Sequence, residues 1–158
     1  MLMGTRNIAA IVSLVAVAAC LLLPNTHPAN ATTTGQTGDS RSVWDGIYTQ
    51  KQAERGQALY DHECSSCHGD KLTGKVSENA PPLTGAAFEK VWTGRTVGDL
   101  FKKILRKMPG DDPGTLTEQE TADLVAFILS FNKFPAGKTE LPPDYIPLST
   151  IRIEARKP

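Results

Sequence analysis

Apolar residues return at helical spacing in three stretches of this chain. Between about Lys51 and Asp61, Ala53, Leu59 and Tyr60 are the apolar positions of a polar segment, and Gly56 among them permits close approach by another helix. Thr96, with Asp99 three residues later, reads as a capping-box start. Val97, Leu100, Phe101, Ile104 and Leu105 then mark the inward face of a helix that runs to about Lys107. Thr117 and Glu120 repeat the capping pattern ahead of an apolar stripe of Leu124, Val125, Phe127, Ile128 and Phe131. A shorter helix is expected around Ala86 to Trp92, with Trp92 in the core. No pattern of a parallel sheet occurs anywhere, so the expected fold class is all-α.

The two ends differ from this middle. Arg6 precedes an uninterrupted apolar and small-residue run from Ile8 to Leu23, Pro24 breaks it, and Ala29-Asn30-Ala31 supplies an Ala-x-Ala cleavage pattern. That order predicts a secretory signal peptide. The run is short for a bilayer span of roughly 20 residues, which weighs against the rival reading of an uncleaved membrane anchor. A second rival is a lipid tether on Cys20, because Val17-Ala18-Ala19-Cys20 looks like a lipobox, although Leu21-Leu22-Leu23 continues the apolar run beyond it. The Thr-, Gly- and Ser-rich stretch that follows has no periodicity and reads as a flexible leader. After Phe134, Pro135, Gly137, Pro142, Pro143 and Pro147 exclude a long helix, and Ile151-Arg152-Ile153-Glu154 alternates in strand fashion. This tail is expected either to lie against the domain or to join a partner. The chain thus divides into a signal at 1–31, a leader at 32–50, a domain at 51–134 and a Pro-rich tail at 135–158.

Charge narrows the function. The formal net charge is zero, and losing Arg6 with the signal leaves one net negative charge. Nucleic-acid binding calls for a strong basic excess, so no nucleic-acid partner is expected. Lys90, Arg95, Lys102, Lys103, Arg106 and Lys107 nevertheless cluster, with Glu89 and Asp99 the acidic residues of that span. They form either a solvated helix face or the basic rim of a docking surface.

Without the signal the chain keeps two cysteines, and they stand in Cys64-Ser65-Ser66-Cys67-His68. This is the attachment signature of c-type haem. Each thiol adds across one vinyl group of the porphyrin, the two intervening residues let one helical turn span both attachment points, and the next residue presents its imidazole to the iron. A structural zinc site wants four ligands in tetrahedral array, which His62, Cys64, Cys67 and His68 supply only under strain. A redox dithiol belongs at a helix start after a strand, whereas the residues before Cys64 read as helix. A disulfide across two residues would staple almost nothing.

A low-spin iron needs a sixth ligand, and Met108 is the one methionine left after Met1 and Met3 go with the signal. Methionine in a soluble domain is ordinarily core filler. Met108 instead lies between a basic amphipathic helix and the loop of Pro109, Gly110, Asp111 and Asp112, which can carry a side chain across a haem face. His62, close to the motif, and an open distal position are the alternatives. Roughly 80 residues of helix would be marginal alone, and a covalent haem supplies the apolar body around which they pack.

With these pieces in place, the chain from about Ala53 to Phe134 resembles the class I monohaem cytochromes c, and more loosely the small bacterial cytochromes that accompany periplasmic dehydrogenases. The matching residues are Gly56 to Tyr60, Cys64 to His68, Gly69, Pro81-Pro82-Leu83-Thr84-Gly85, Met108-Pro109 and Ala122 to Phe131. The resemblance implies three to four helices packed around one covalent haem c. It implies iron ligands at His68 and Met108, and a Pro81 carbonyl that accepts the proton of His68 Nδ1 and fixes the imidazole. It also implies that Gly56 and Tyr60 cross the Leu124 to Phe127 face.

The expected function is single-electron transfer, without substrate catalysis, in the periplasm. An exported dehydrogenase or respiratory donor and a terminal oxidase or other cytochrome are the expected redox partners. Methionine ligation favours Fe(II) over Fe(III) relative to bis-histidine ligation. The alternatives are a haem-based small-ligand sensor or peroxidase with a displaceable Met108, and a fixed cytochrome subunit of a larger oxidoreductase complex clamped by the tail.

Overall fold

The structure, a computed structural model, describes residues 41–157. Cys20, the apolar run, the cleavage pattern and the leader up to residue 40 lie outside the described residues. In chain order the elements are β1 (Arg41–Ser42), a 3-10 turn (Val43–Asp45), α1 (Gln50–Glu63) and α2 (Ser65–His68). A second 3-10 turn (Val76–Glu78) follows, then α3 (Gly85–Trp92), α4 (Val97–Lys107), α5 (Glu118–Phe131), α6 (Tyr145–Leu148) and β2 (Ile151–Arg152). The described fold is therefore an all-α bundle with minimal sheet. It has six helices where three to four were expected, and the two additions, α2 and α6, are four residues each.

The helix starts follow from side-chain capping. Thr96 accepts a hydrogen bond from the Asp99 amide at 3.1 Å while Asp99 Oδ2 accepts one from the Thr96 amide at 3.0 Å. Thr117 and Glu120 repeat this at 3.2 and 2.8 Å. Thr49 caps α1 by accepting from the Gln52 amide at 3.1 Å. Each arrangement satisfies amides that the first helical turn leaves without intrahelical partners.

α1 and α5 cross at Gly56. A Cβ built there would lie 1.9 Å from the Asp123 carbonyl oxygen and 2.9 Å from Phe127 Cβ, so only glycine permits this approach. One turn further along α1 the Tyr60 ring meets Phe127, with centroids 5.1 Å apart. The long apolar stripe of α5 is buried almost continuously from Thr121 to Leu129, and Val97, Leu100, Phe101 and Ile104 bring α4 into the same core.

The packed unit extends beyond 51–134 in both directions. Residues 41–49, read as the end of a leader, contribute Val43, Ile47 and Tyr48 to the core. The tail folds back on its own domain: Leu141, Leu148, Ile151 and Ile153 are buried. Ser42 and Arg152 pair in a parallel two-stranded ladder, and Ser42 Oγ donates to Glu154. The Gln52 side chain both donates to and accepts from the Leu141 backbone, at 3.0 and 2.7 Å. Arg55 spans Asp123 on α5 and Glu140 on the tail. Gly98 lets the tail lie close on α4, since a Cβ there would sit 2.8 Å from the Ser149 amide nitrogen.

Candidate functional site

The Cys64 to His68 segment is held by its backbone. Cys64 ends α1, its carbonyl accepts from the Cys67 and His68 amides at 3.2 and 2.9 Å, and α2 is the resulting single turn. Gly69 then leaves the helix at φ +76, and its carbonyl accepts the buried Tyr60 hydroxyl at 2.8 Å. Burial holds the Tyr60 hydroxyl well above the usual phenol range, so it stays a donor at neutral pH. The first helix thus fixes the position of the turn that follows it.

A folded-back loop brings Pro81 to His68. Lys75 and Ala80 pair as an antiparallel bridge, and Gly74 at φ +74 lies so close to Ala80, Pro81 and Pro82 that a Cβ would stand within 2.8 Å of each. The Leu83 amide donates to Leu72, and Asn132 at the end of α5 donates to the Leu83 carbonyl at 2.9 Å. His68, 8% exposed, consequently has its Nδ1 3.0 Å from the Pro81 carbonyl oxygen. A carbonyl only accepts, so Nδ1 carries the proton and Nε2 keeps its lone pair.

His68, Cys64, Pro81 and Met108 all line one cleft. Apart from Tyr60 and Lys103 its remaining walls are apolar: Leu83, Val91 and Trp92 on one part, Leu100 and Ile104 from α4, Leu124 and Ile128 from α5. The space between these walls, its open mouth included, is about 760 Å³. Met108 is half-buried and terminates α4 in extended conformation, its amide donating to Ile104. Trp92 is half-buried, packs against the core as expected and also forms part of the cleft wall. Cys67 is exposed and lines a neighbouring polar pocket that also takes in Cys64 and Met108. Four of the five expected residues therefore share the cleft, and Cys67 stands next to it. Burial pushes the Cys64 thiol up to about 11, which keeps it protonated at neutral pH.

Among the described residues no group of three or more His, Cys, Asp and Glu side chains gathers as a metal cluster. The exposed His62 pairs with Glu63 at 2.8 Å and does not line the apolar cleft. Lys103 does line it, a role its place in a run of basic residues does not reveal.

Residues 51–128 match the family described as cytochrome C oxidase, cbb3-type, subunit III. This span, just under half of the chain, starts at α1 and ends inside α5, so it contains Cys64 to His68, Pro81 and Met108. No curated protein matches. A crystal structure of the sulfane dehydrogenase SoxCD from Paracoccus pantotrophus aligns at 24% identity with a TM-score of 0.42, over 62% of this chain. The chain spans 55% of that structure's chain. The family match makes this a redox-associated domain similar to an oxidase subunit.

Proposed function

We propose that the domain holds one covalent haem c and passes single electrons as a cytochrome subunit of a larger oxidoreductase assembly in the periplasm. The observation that carries the reading is the commitment of His68 Nδ1 to the Pro81 carbonyl inside a cleft that Cys64 and Met108 also line. The donor set fits the group. Two thiols stand three residues apart, one imidazole nitrogen is free for iron, one thioether is at hand, and most of the remaining walls are carbon.

When bound, the haem supplies a one-electron Fe(II)/Fe(III) couple. Cys64 and Cys67 would hold the macrocycle through thioether bonds. His68 and Met108 would ligate its iron. The Pro81 carbonyl keeps the imidazole in one tautomer and orientation and raises its basicity. Leu100, Ile104, Leu124 and Ile128 line the cleft and would exclude water from the bound group.

The family match favours a fixed subunit over a freely diffusing carrier, because the matched family is itself described as an oxidase subunit. The tail, expected as the clamp of such a complex, spends its large apolar residues on its own domain and leaves Tyr145 and Ile146 exposed. Absorption spectra of the purified, exported protein in both oxidation states test the reading. A c-type spectrum with six-coordinate iron supports it, and a spectrum without haem overturns it. Co-purification with a dehydrogenase or oxidase separates subunit from carrier.

A further inference from the structure

α3 is a thinly anchored wall of the cleft. Of its eight residues Phe88 alone is buried, and Val91 and Trp92 at its end line the cleft. Its start is tied where the Gly85 amide donates to Asn132 Oδ1 at 3.1 Å. Its exit is tied to the tail. The Gly94 amide donates to the Ile153 carbonyl and the Ile153 amide to the Arg95 carbonyl, both at 2.9 Å. Thr96 pairs with Arg152 as an antiparallel bridge. The Arg95 amide in turn donates to the Trp92 carbonyl at 2.9 Å, which joins the clamped turn to the last residue of α3.

Ile153, 1% exposed, sits in a strand that is held from its other side as well. β2 pairs with β1, Ser42 Oγ donates to the Glu154 carboxylate, and the Trp44 indole N–H donates to the Glu154 carbonyl at 3.0 Å. Residues 41–44 therefore hold the end of the tail, and the end of the tail holds the α3–α4 turn. Both strands lie outside the matched residues 51–128. The α6 turn bears on α4 instead, through the buried Leu148, the close approach of Ser149 to Gly98, and the Lys102 ammonium 5.5 Å from the Tyr145 ring centroid.

We propose that Ile153 is a positioning residue for the cofactor cleft. Through its backbone bonds to Gly94 and Arg95 it holds Val91 and Trp92 in the wall, and so limits the access of water to the bound group. The proposal rests on the covalent-haem reading above. A dry apolar shell disfavours the extra positive charge of Fe(III), so a loosened α3 lowers the reduction potential. The tail thereby becomes part of the redox site without contributing a ligand to it.

Amide hydrogen exchange and equilibrium redox titration of the holoprotein test this together, on Ile153→Pro, Ile153→Val, Trp44→Phe and Leu148→Ala. Ile153→Pro removes the amide that donates to Arg95, and Ile153→Val keeps it. Trp44→Phe deletes the bond to Glu154 while leaving an aromatic ring against Phe134. In Ile153→Pro, exchange across residues 85–95 is expected to rise several-fold relative to α5. Its midpoint potential should fall, read as a several-fold loss of Fe(II) at fixed ambient potential. Trp44→Phe should move both readings the same way by less, and it decides the matter should Ile153→Pro not fold. Ile153→Val should match the parent, and Leu148→Ala should keep the parent potential despite its lower stability. Faster exchange with an unchanged potential would overturn the proposal, as would unchanged exchange, or a shift in Leu148→Ala as large as that in Ile153→Pro. Haem staining of the same samples tells this failure apart from that of the underlying reading: stained protein with the wrong potentials sinks only the Ile153 assignment, whereas unstained parent protein sinks both.

Discussion

His68 Nδ1 lies 3.0 Å from the carbonyl oxygen of Pro81, thirteen residues further along the chain. The contact decides which ring nitrogen is protonated, and it does so through backbone, so no side-chain substitution at position 81 removes the acceptor itself. What holds it in place is the close approach of Gly74 to the 80–82 backbone and the Asn132 bond to Leu83. The imidazole is thus oriented by groups from the loop and from the end of α5, and its free nitrogen is available for a ligand.

Met108 distinguishes ligand from filler. As an axial ligand, its replacement by His should keep six-coordinate iron and lower the potential, while Met108→Ala should open a position for water or carbon monoxide. The check is the long-wavelength charge-transfer band of Met–Fe(III) in the oxidised protein. It is expected to vanish in both variants. Its persistence in Met108→Ala would reduce the residue to packing.

Acid should weaken the fold through three carboxylates. Hydrogen bonds from Thr96 hold Asp99 below its ordinary 3.8, those from Thr117 hold Glu120 below 4.5, and the Arg55 guanidinium holds Glu140 below 4.5. Each is depressed in the folded state, so its contribution is fully present above these ordinary values and is lost as pH falls through the lower folded ones. Melting temperature should stay flat from neutral pH down to about 5 and then drop. Asp99→Asn with Glu120→Gln should be less stable at neutral pH and show a shallower acid slope. An unchanged slope would contradict the assignment.

The α1–α5 crossing leaves no room at Gly56. Gly56→Ala drives a methyl group into the Asp123 carbonyl, and a cost of about 3 kcal/mol or more is expected. Chemical denaturation of the holoprotein measures it. A loss below about 1 kcal/mol would show that the helices separate easily.

The tail should behave as part of the domain. Leu148 is fully buried beside α4, and Leu148→Ala is expected to cost about 2–5 kcal/mol while leaving the visible spectrum in place. A variant as stable as the parent would mean that the tail detaches freely.

What the sequence disclosed, and what it hid, follows from the range of the interactions. The capping boxes at Thr96 and Thr117 and the apolar stripes of α4 and α5 are local patterns, and their helices start where those patterns begin. Gly56 stood out because a glycine inside a helical segment needs a reason, and the α5 backbone supplies it. The role of residues 41–49 was hidden, because Val43 and Tyr48 gain their meaning only from distant partners; the Tyr48 hydroxyl, for example, donates to the Phe134 carbonyl. The tail's docking was left open between its own domain and a partner for the same reason: the strand-like alternation at Ile151 to Glu154 was legible, but Leu141 and Ile153 bind through backbone contacts to Gln52 and Arg95 that no periodicity encodes. At the site, the 64–68 spacing was plain and Met108 was reached by elimination. The cleft walls from α4 and α5 were visible only as core positions, and the different engagements of Lys102 and Lys103 required the fold.

The most direct measurement of the central claim is haem staining and intact mass of the mature, exported protein after full denaturation. Denaturation strips any haem held only by axial ligands and packing, so what remains is covalent. The parent protein is expected to stain and to carry the mass of one haem, and the Cys64→Ala, Cys67→Ala double variant to do neither. A parent chain without haem mass, or a double variant that still stains, would contradict the account.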